Sequence, residues 1–219
     1  MTGATRELAM FPLGSVLVPG MPLQLQVFEP RYVAMLSSSL AGTEREFGVV
    51  LIERGSEVGG GDLRFDVGTV ARIVSVEVGD GSIHLLAKGT TRFEVVRWLE
   101  DDPFPRAEVR DLASLVVDDS TPSRLAEAEA VVRATLARSS EFVELPWPAD
   151  VELSGDLDER IWQVAGIAPL SSIDHYALLC STTAAELLAR LVDDTQGAEM
   201  VLTAGWGLEP GDDDKGVDQ

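Results

Sequence analysis

The sequence has few of the side chains that carry most enzyme chemistry. It has one cysteine, two histidines and two lysines, and 17 Lys+Arg stand against 37 Asp+Glu. A single cysteine, Cys180, cannot close an internal disulfide, which removes a disulfide framework and fits a reducing compartment. It also removes a cysteine-rich zinc site. The net charge of −20 excludes non-specific nucleic-acid binding, which needs an excess of cations to neutralise phosphates. Anionic membrane surfaces are disfavoured for the same reason. The imbalance is shared by both halves, −5 over residues 1–112 and −15 over residues 113–219.

Catalytic signatures are scarce as well. Neither Lys88 nor Lys215 follows a glycine, so there is no P-loop, and no G-x-G-x-x-G or G-x-S-x-G stretch occurs. A serine–lysine dyad would have to use Lys88, which reads as a solvated charge at a strand end. His84 falls two residues after Ser82 on the same strand face, and His175 lies five before Cys180 on a poorly matched helix face. Structural or surface roles are expected for both. Cys180, next to Leu178 and Leu179, reads as a small buried hydrophobe. The Asp212–Asp214 run lacks the spacing of a calcium loop. No catalytic residue, metal or cofactor is expected. The uncharged stretch from Leu8 to Phe28 is broken by Pro12, Pro19 and Pro22, so it is read as strands rather than a membrane span, and a cytoplasmic location is expected.

The first half carries strand patterns. Met10–Val18 and Leu23–Phe28 are apolar runs split by the turn dipeptide Pro19-Gly20, and Gln24 and Gln26 alternate with Leu23, Leu25 and Val27. Pro30 suits a helix start, with Phe28 stapled onto Val33, a stripe of Tyr32, Met35, Leu36 and Leu40, and an end at Gly42. Phe47–Ile52, Val67–Val78, Ile83–Ala87, Phe93–Leu99 and Ala107–Leu112 follow as strands, with a loop at 55–62 and a hairpin signal at Asp80-Gly81. Several hairpin-linked strands and one helix predict a small closed or half-closed barrel.

The second half is helical. Thr121 is expected to cap a helix carrying Leu125, Ala128, Val132 and Leu136. Another is expected over Asp156–Gly166. Ser171-x-x-Asp174 and Thr183-x-x-Glu186 fit the capping-box pattern, and a separate short helix is expected over Ala198–Ala204. Trp162 reads as core, and Trp147, between two prolines, as a candidate contact residue.

The run Phe11-Pro-Leu-Gly-Ser-Val-Leu-Val-Pro-Gly-Met-Pro-Leu23, followed by Phe28-Glu-Pro-Arg-Tyr32, resembles the start of the amino-terminal, substrate-recognition (LON) domain of the Lon ATP-dependent proteases. The second motif looks most like the small stand-alone LON-domain proteins of bacteria. Phe47–Val50, Val67–Ile73, Lys88–Phe93 and Ala168–Leu170 resemble later family blocks in the expected order, and the likeness spans about residues 8–195. It implies an α+β fold, a PUA-like β-barrel (8–115) followed by an α-helical subdomain (120–205); an acidic, disordered tail (208–219) is read from composition.

In full-length Lon this module helps recognise unfolded or tagged substrates, while the ATPase and peptidase lie in later domains. The resemblance therefore implies a non-catalytic module that binds unfolded or extended polypeptide. The alternatives are a hydrolase using the barrel–helix cleft and an adaptor for one folded partner such as a protease or chaperone. Glu29, Arg31, Tyr32 and Trp147 are the candidate polypeptide-binding residues, with Arg31 placed to pair with Glu29 or another carboxylate.

Overall fold

The computed structural model describes residues 4–54, 63–79 and 81–204. The expected loop at 55–62, Asp80 of the hairpin signal, Trp206, Lys215 and the 208–219 tail lie outside the described residues. In chain order the elements are β1 (Thr5–Leu13), β2 (Pro22–Val27), α1 (Pro30–Ala41), β3 (Glu46–Arg54), β4 (Leu63–Gly79), β5 (Ser82–Trp98), β6 (Arg106–Asp111), α2 (Thr121–Ser139), α3 (Leu157–Ile167), α4 (Ser172–Leu179) and α5 (Ala184–Ala204).

The strands run in the order β2-β5-β4-β3-β1-β6, and β6 pairs again with β5, which closes a barrel. The expectation of separate strands at 83–87 and 93–99 is corrected, because both belong to the 17-residue β5. That strand changes neighbour along its length. Ile83–Lys88 pair with β2, Phe93–Trp98 pair with β6, and β4 follows the other edge from Ser82 to Glu94. A register shift on β4 between Thr69 and Ala71 sets two β5 residues, Thr90 and Thr91, opposite Val70 and bends the pair at the changeover. Only β1 and β3 run parallel, because β2 and α1 intervene as a crossover.

Strand alternation sorts the side chains into two cores. Leu8, Met10, Val50, Val70, Phe93 and Val109 belong to the barrel interior. Gly48 and Gly68 leave room for the Phe93 ring, since a Cβ on either would stand 2.9 or 2.5 Å from its Cζ. The opposite faces supply Phe11, Phe47, Val49 and Ala87 to a larger core shared with Leu125, Val132, Ile161 and Leu188 of the helices. Strands up to β6 and helices from α2 onward thus share one core.

Helix ends follow local chemistry. Asp156 accepts from the Glu159 amide and Ser171 from the Asp174 amide, so α3 and α4 start where side-chain caps are available. Thr183 caps α5 as expected, its hydroxyl accepting from Glu186 N, but the Glu186 carboxylate reaches one residue further back, to Thr182 N, instead of closing the box on Thr183 N. Thr121 is not the cap of α2 but its first residue. The Asp118 carboxylate accepts from Ser120 N, Ser120 Oγ and Thr121 Oγ1 instead. The separate helix expected at 198–204 is the end of α5. Gly197 costs that helix about 1 kcal/mol against alanine, less than the packing of its Leu187, Leu188 and Leu191 supplies. In α1, Ser39 takes the buried place expected of Leu40, and Phe28 stays 62% exposed, so a staple onto Val33 shelters little of it.

Candidate binding cleft

The segment between β1 and β2 joins the barrel to the helices. Gly20 has φ +79°, a conformation that glycine adopts without steric cost. Its amide donates to the Gly89 carbonyl, and the Gly89 amide donates to Met21 O, both at 2.9 Å. Gly89 is required by this approach, because a Cβ there would stand 2.4 Å from the Val18 carbonyl oxygen. On the other side Gly166 of α3 receives Met21 and Val18, and Gln163 donates to Gly20 O at 3.4 Å. The turn is therefore a wedge between β5 and α3.

Beside this wedge, where β5 has left β2 and not yet met β6, lies a cleft of about 520 Å³. Its strand wall carries Arg72, Lys88 and Thr91, and its helix wall carries Asp156, Asp158 and Glu159. The buried side chains that line it are Leu115, Ile161, Trp162 and Arg92. Arg72 and Lys88 are direct partners in the β4–β5 register, an arrangement of like charges that is unfavourable by itself. Glu159 offsets one of them through a 2.5 Å ion pair with Lys88 Nζ. Lys88 is thus exposed as expected, but it is a paired mid-strand cation and not a strand-end charge. Among the described residues Arg72 has no ion-pair partner. Asp156 is used as the α3 cap.

Arg92 is a buried cation held by backbone carbonyls. It is only 6% exposed, and its Nη1 donates to the carbonyls of Leu179 (2.7 Å) and Ser181 (2.5 Å) while Nη2 donates to Ala113 O (2.8 Å). Its guanidinium lies 5.0 Å from the Trp162 ring centroid. These partners are carbonyls, not carboxylates. Burial accordingly holds its pKa below the ordinary arginine value. Three of its five N–H donors are used in these bonds.

The candidate residues do not converge. Arg31 pairs with Glu29 at 3.1 Å and lies over Tyr32. Tyr32 is 3% exposed and stacks on Phe11 at 4.1 Å, so its ring faces the core. Trp147 is half-buried against the large core, in a segment held by Arg133, which donates to Ala149 O and Val151 O. None of these four lines the cleft.

The imidazoles are also apart from it. His84 Nε2 is 3.4 Å from Ser82 Oγ in an exposed depression shared with Gln24, Gln26 and Glu77. His175 is turned inward, with Nδ1 and Nε2 near the carbonyls of Ser171 and Ala165, and desolvation lowers its pKa from the ordinary 6.5. Cys180 is exposed at the end of α4, which corrects its reading as a buried hydrophobe. Its thiol pKa is raised, chiefly by desolvation. Arg72 and Arg92 are the residues that sequence reasoning passed over. Arg92 carries a local signal, a cation on the strand face opposite Phe93, which turns that face towards polar acceptors.

Among the described residues no helix is long and apolar enough to cross a membrane, and no three His, Cys, Asp or Glu side chains are grouped to hold a metal ion. Comparison with known proteins gives one consistent answer. The chain is 32% identical over 142 residues to Lon protease 2 of Myxococcus xanthus, covering 63% of this chain and 16% of that protein. It is 25% identical over 197 residues to the Lon protease of Vibrio parahaemolyticus, covering 89% of this chain and 23% of the other. The chain therefore spans less than a quarter of the length of these relatives.

A solved Lon N-terminal domain protein from Xanthomonas campestris superposes with a TM-score of 0.63 at 28% identity, covering 86% of this chain and 98% of that one. The N-terminal domain of the Mycobacterium avium complex Lon protease shares the fold, with a TM-score of 0.62 at 17% identity, over 87% and 98% of the two chains. The family described as the ATP-dependent protease La (LON) substrate-binding domain matches residues 7–193, and this chain belongs to that family.

Proposed function

We propose that this chain is a substrate-recognition module that holds extended, unfolded polypeptide and performs no chemistry on it. The observation that carries this reading, beside family membership, is an open-edged flange on the barrel. The distal half of β4, Ile73–Gly79, pairs with β5, and β5 pairs with β2, but β3 reaches β4 only as far as Arg72. The outer edge of β2 and the distal edge of β4 therefore have no strand neighbour among the described residues. Val74 and Val78 stand on the second of these, 61% and 83% exposed. Free edges flanked by apolar side chains suit an unfolded segment, which brings its own unpaired amides and carbonyls.

The reading is tested by fluorescence anisotropy of a labelled, permanently unfolded protein titrated with this chain without ATP. A saturable rise is expected. A time-dependent fall would mean the label sits on shrinking fragments and would overturn the non-catalytic reading, and a flat trace would remove unfolded-chain binding.

A further inference from the structure

The cleft has a chemistry of its own, distinct from the open edges of the flange. Among the described residues neither of its two arginines has a carboxylate partner, in a chain where acidic side chains outnumber basic ones 37 to 17. Arg72 stands beside Lys88 across the β4–β5 pair, and Glu159 pairs with Lys88 alone of the two. Arg92 brings a buried positive charge met by backbone carbonyls, with two N–H donors outside those bonds. Like charges directly opposite each other, as Arg72 and Lys88 are, cost stability, and an anion placed between them offsets that cost. Next to these cations the cleft is lined by the slightly exposed edges of Leu115 and Trp162 over the fully buried Ile161, an apolar floor. At about 520 Å³ it holds one or two amino-acid residues and excludes a folded domain.

We propose that this cleft binds the free carboxyl end of a polypeptide, its α-carboxylate against Arg72, Lys88 and Arg92 and its apolar last side chain against Leu115 and Trp162. The inference rests on the reading of the chain as a polypeptide-binding module and names a site within it. A carboxylate takes two N–H donors at once from a guanidinium, which an amide or an internal peptide group does not do with the same charge assistance. The helix wall sets a further condition. Asp158 has no ion-pair partner among the described residues and faces the same space, so an acidic residue next to the terminus is disfavoured and a basic or neutral one is accepted.

The test uses the full chain and two fluorescein-labelled octapeptides of sequence Gly-Ser-Gly-Ser-Gly-Lys-Ala-Leu, one ending in the free acid and one in the amide. Anisotropy is expected to show the acid binding at least about tenfold tighter than the amide. Arg72→Glu should abolish that difference without lowering the thermal melt, since Arg72 is exposed, makes no ion pair among the described residues and stands opposite Lys88. Equal binding of acid and amide, or a preference that survives Arg72→Glu, would overturn the assignment. The same titrations include the permanently unfolded protein. If it binds and the peptides do not discriminate, the cleft proposal falls and the general reading stands. If the acid peptide binds selectively and the unfolded protein does not, the cleft is supported and general unfolded-chain binding falls. Silence from all three probes overturns both.

Discussion

Replacing Arg92 by methionine keeps most of the side-chain volume and removes every donor. Three carbonyls, those of Ala113, Leu179 and Ser181, then lose their partner in a site where the arginine itself is 6% exposed. A hydrogen bond to a charged group contributes about 1.5–3 kcal/mol, so the three bonds together set an upper range of about 4.5–9 kcal/mol. Part of this is returned because methionine no longer desolvates a charge, a penalty of several kcal/mol. The net expected loss is about 3–5 kcal/mol, since three buried carbonyls left without a partner cost about 1–3 kcal/mol each. That is a large part of the roughly 5–15 kcal/mol available to a folded domain.

At about 2–4 °C per kcal/mol for a chain of this size, the melting temperature should fall by roughly 6–20 °C. Guanidinium denaturation measures the energy. Hydrogen exchange should show the last turn of α4 and residues 113–115 opening first, since those are the backbone groups released. Arg92→Lys should fall between wild type and methionine, because one ammonium cannot reproduce the planar fork. A methionine variant within about 1 kcal/mol of wild type would refute the idea that Arg92 fastens the helices to the barrel.

Gly89→Ala should destabilise by about 1–3 kcal/mol in chemical denaturation, and more than Gly166→Ala, because the first Cβ meets the Val18 backbone and the second meets the flexible Met21 side chain. Burial holds His175 below its ordinary 6.5, so the unfolded chain takes up this proton first as the pH falls. Its contribution is complete above about pH 6.5 and declines below it, and His175→Gln should flatten that part of a stability–pH curve. Glu129 accepts from Arg160 and Arg133, which lower its pKa from 4.5, so its contribution is present above that value and is lost as the pH falls further. Glu129→Gln should cost about 1 kcal/mol, a modest figure because the arginines are part-exposed. Raising salt should slow the association of octapeptides with a lysine-bearing body and speed that of glutamate-bearing ones, as read by stopped-flow anisotropy.

Much of the fold was legible because its signals are local. Alternation marked the strands, Asp156, Ser171 and Thr183 marked helix starts, and Leu125, Ala128, Val132 and Leu136 marked the buried face of α2. The misplaced boundaries also have local causes. Gly89 looks like a strand break but is a point where another segment of backbone approaches, so β5 was divided in two. Gly197 looks like a stop, but tertiary packing carries α5 through it. The candidate site was less legible because its parts are far apart in the chain: Arg72, Arg92, Leu115 and Glu159 meet only when β5 changes neighbour and α3 docks across the gap. Tyr32 was singled out from a specific motif, and the motif's ring is core, stacked on Phe11.

That outcome bears on how the family's most specific block relates to binding. The run from Phe11 to Leu23 contributes Pro19 and Gly20 to the rim of the cleft, but its main contacts are with Gly89 on one side and with Gly166 and Gln163 on the other. It sets the distance between β5 and α3, and that distance is the width of the cleft. The cations that give the cleft its chemistry come from β4 and β5, outside this block. The charge of the whole chain, −20, repels an anion at long range, and at physiological salt the field of exposed charges decays within about 8 Å. Recognition of a carboxylate therefore has to occur at short range, between groups held in place before the ligand arrives. The wedge supplies that fixed spacing and Arg92 fixes the far wall, so a chain that is acidic throughout can still present a local site for an anion.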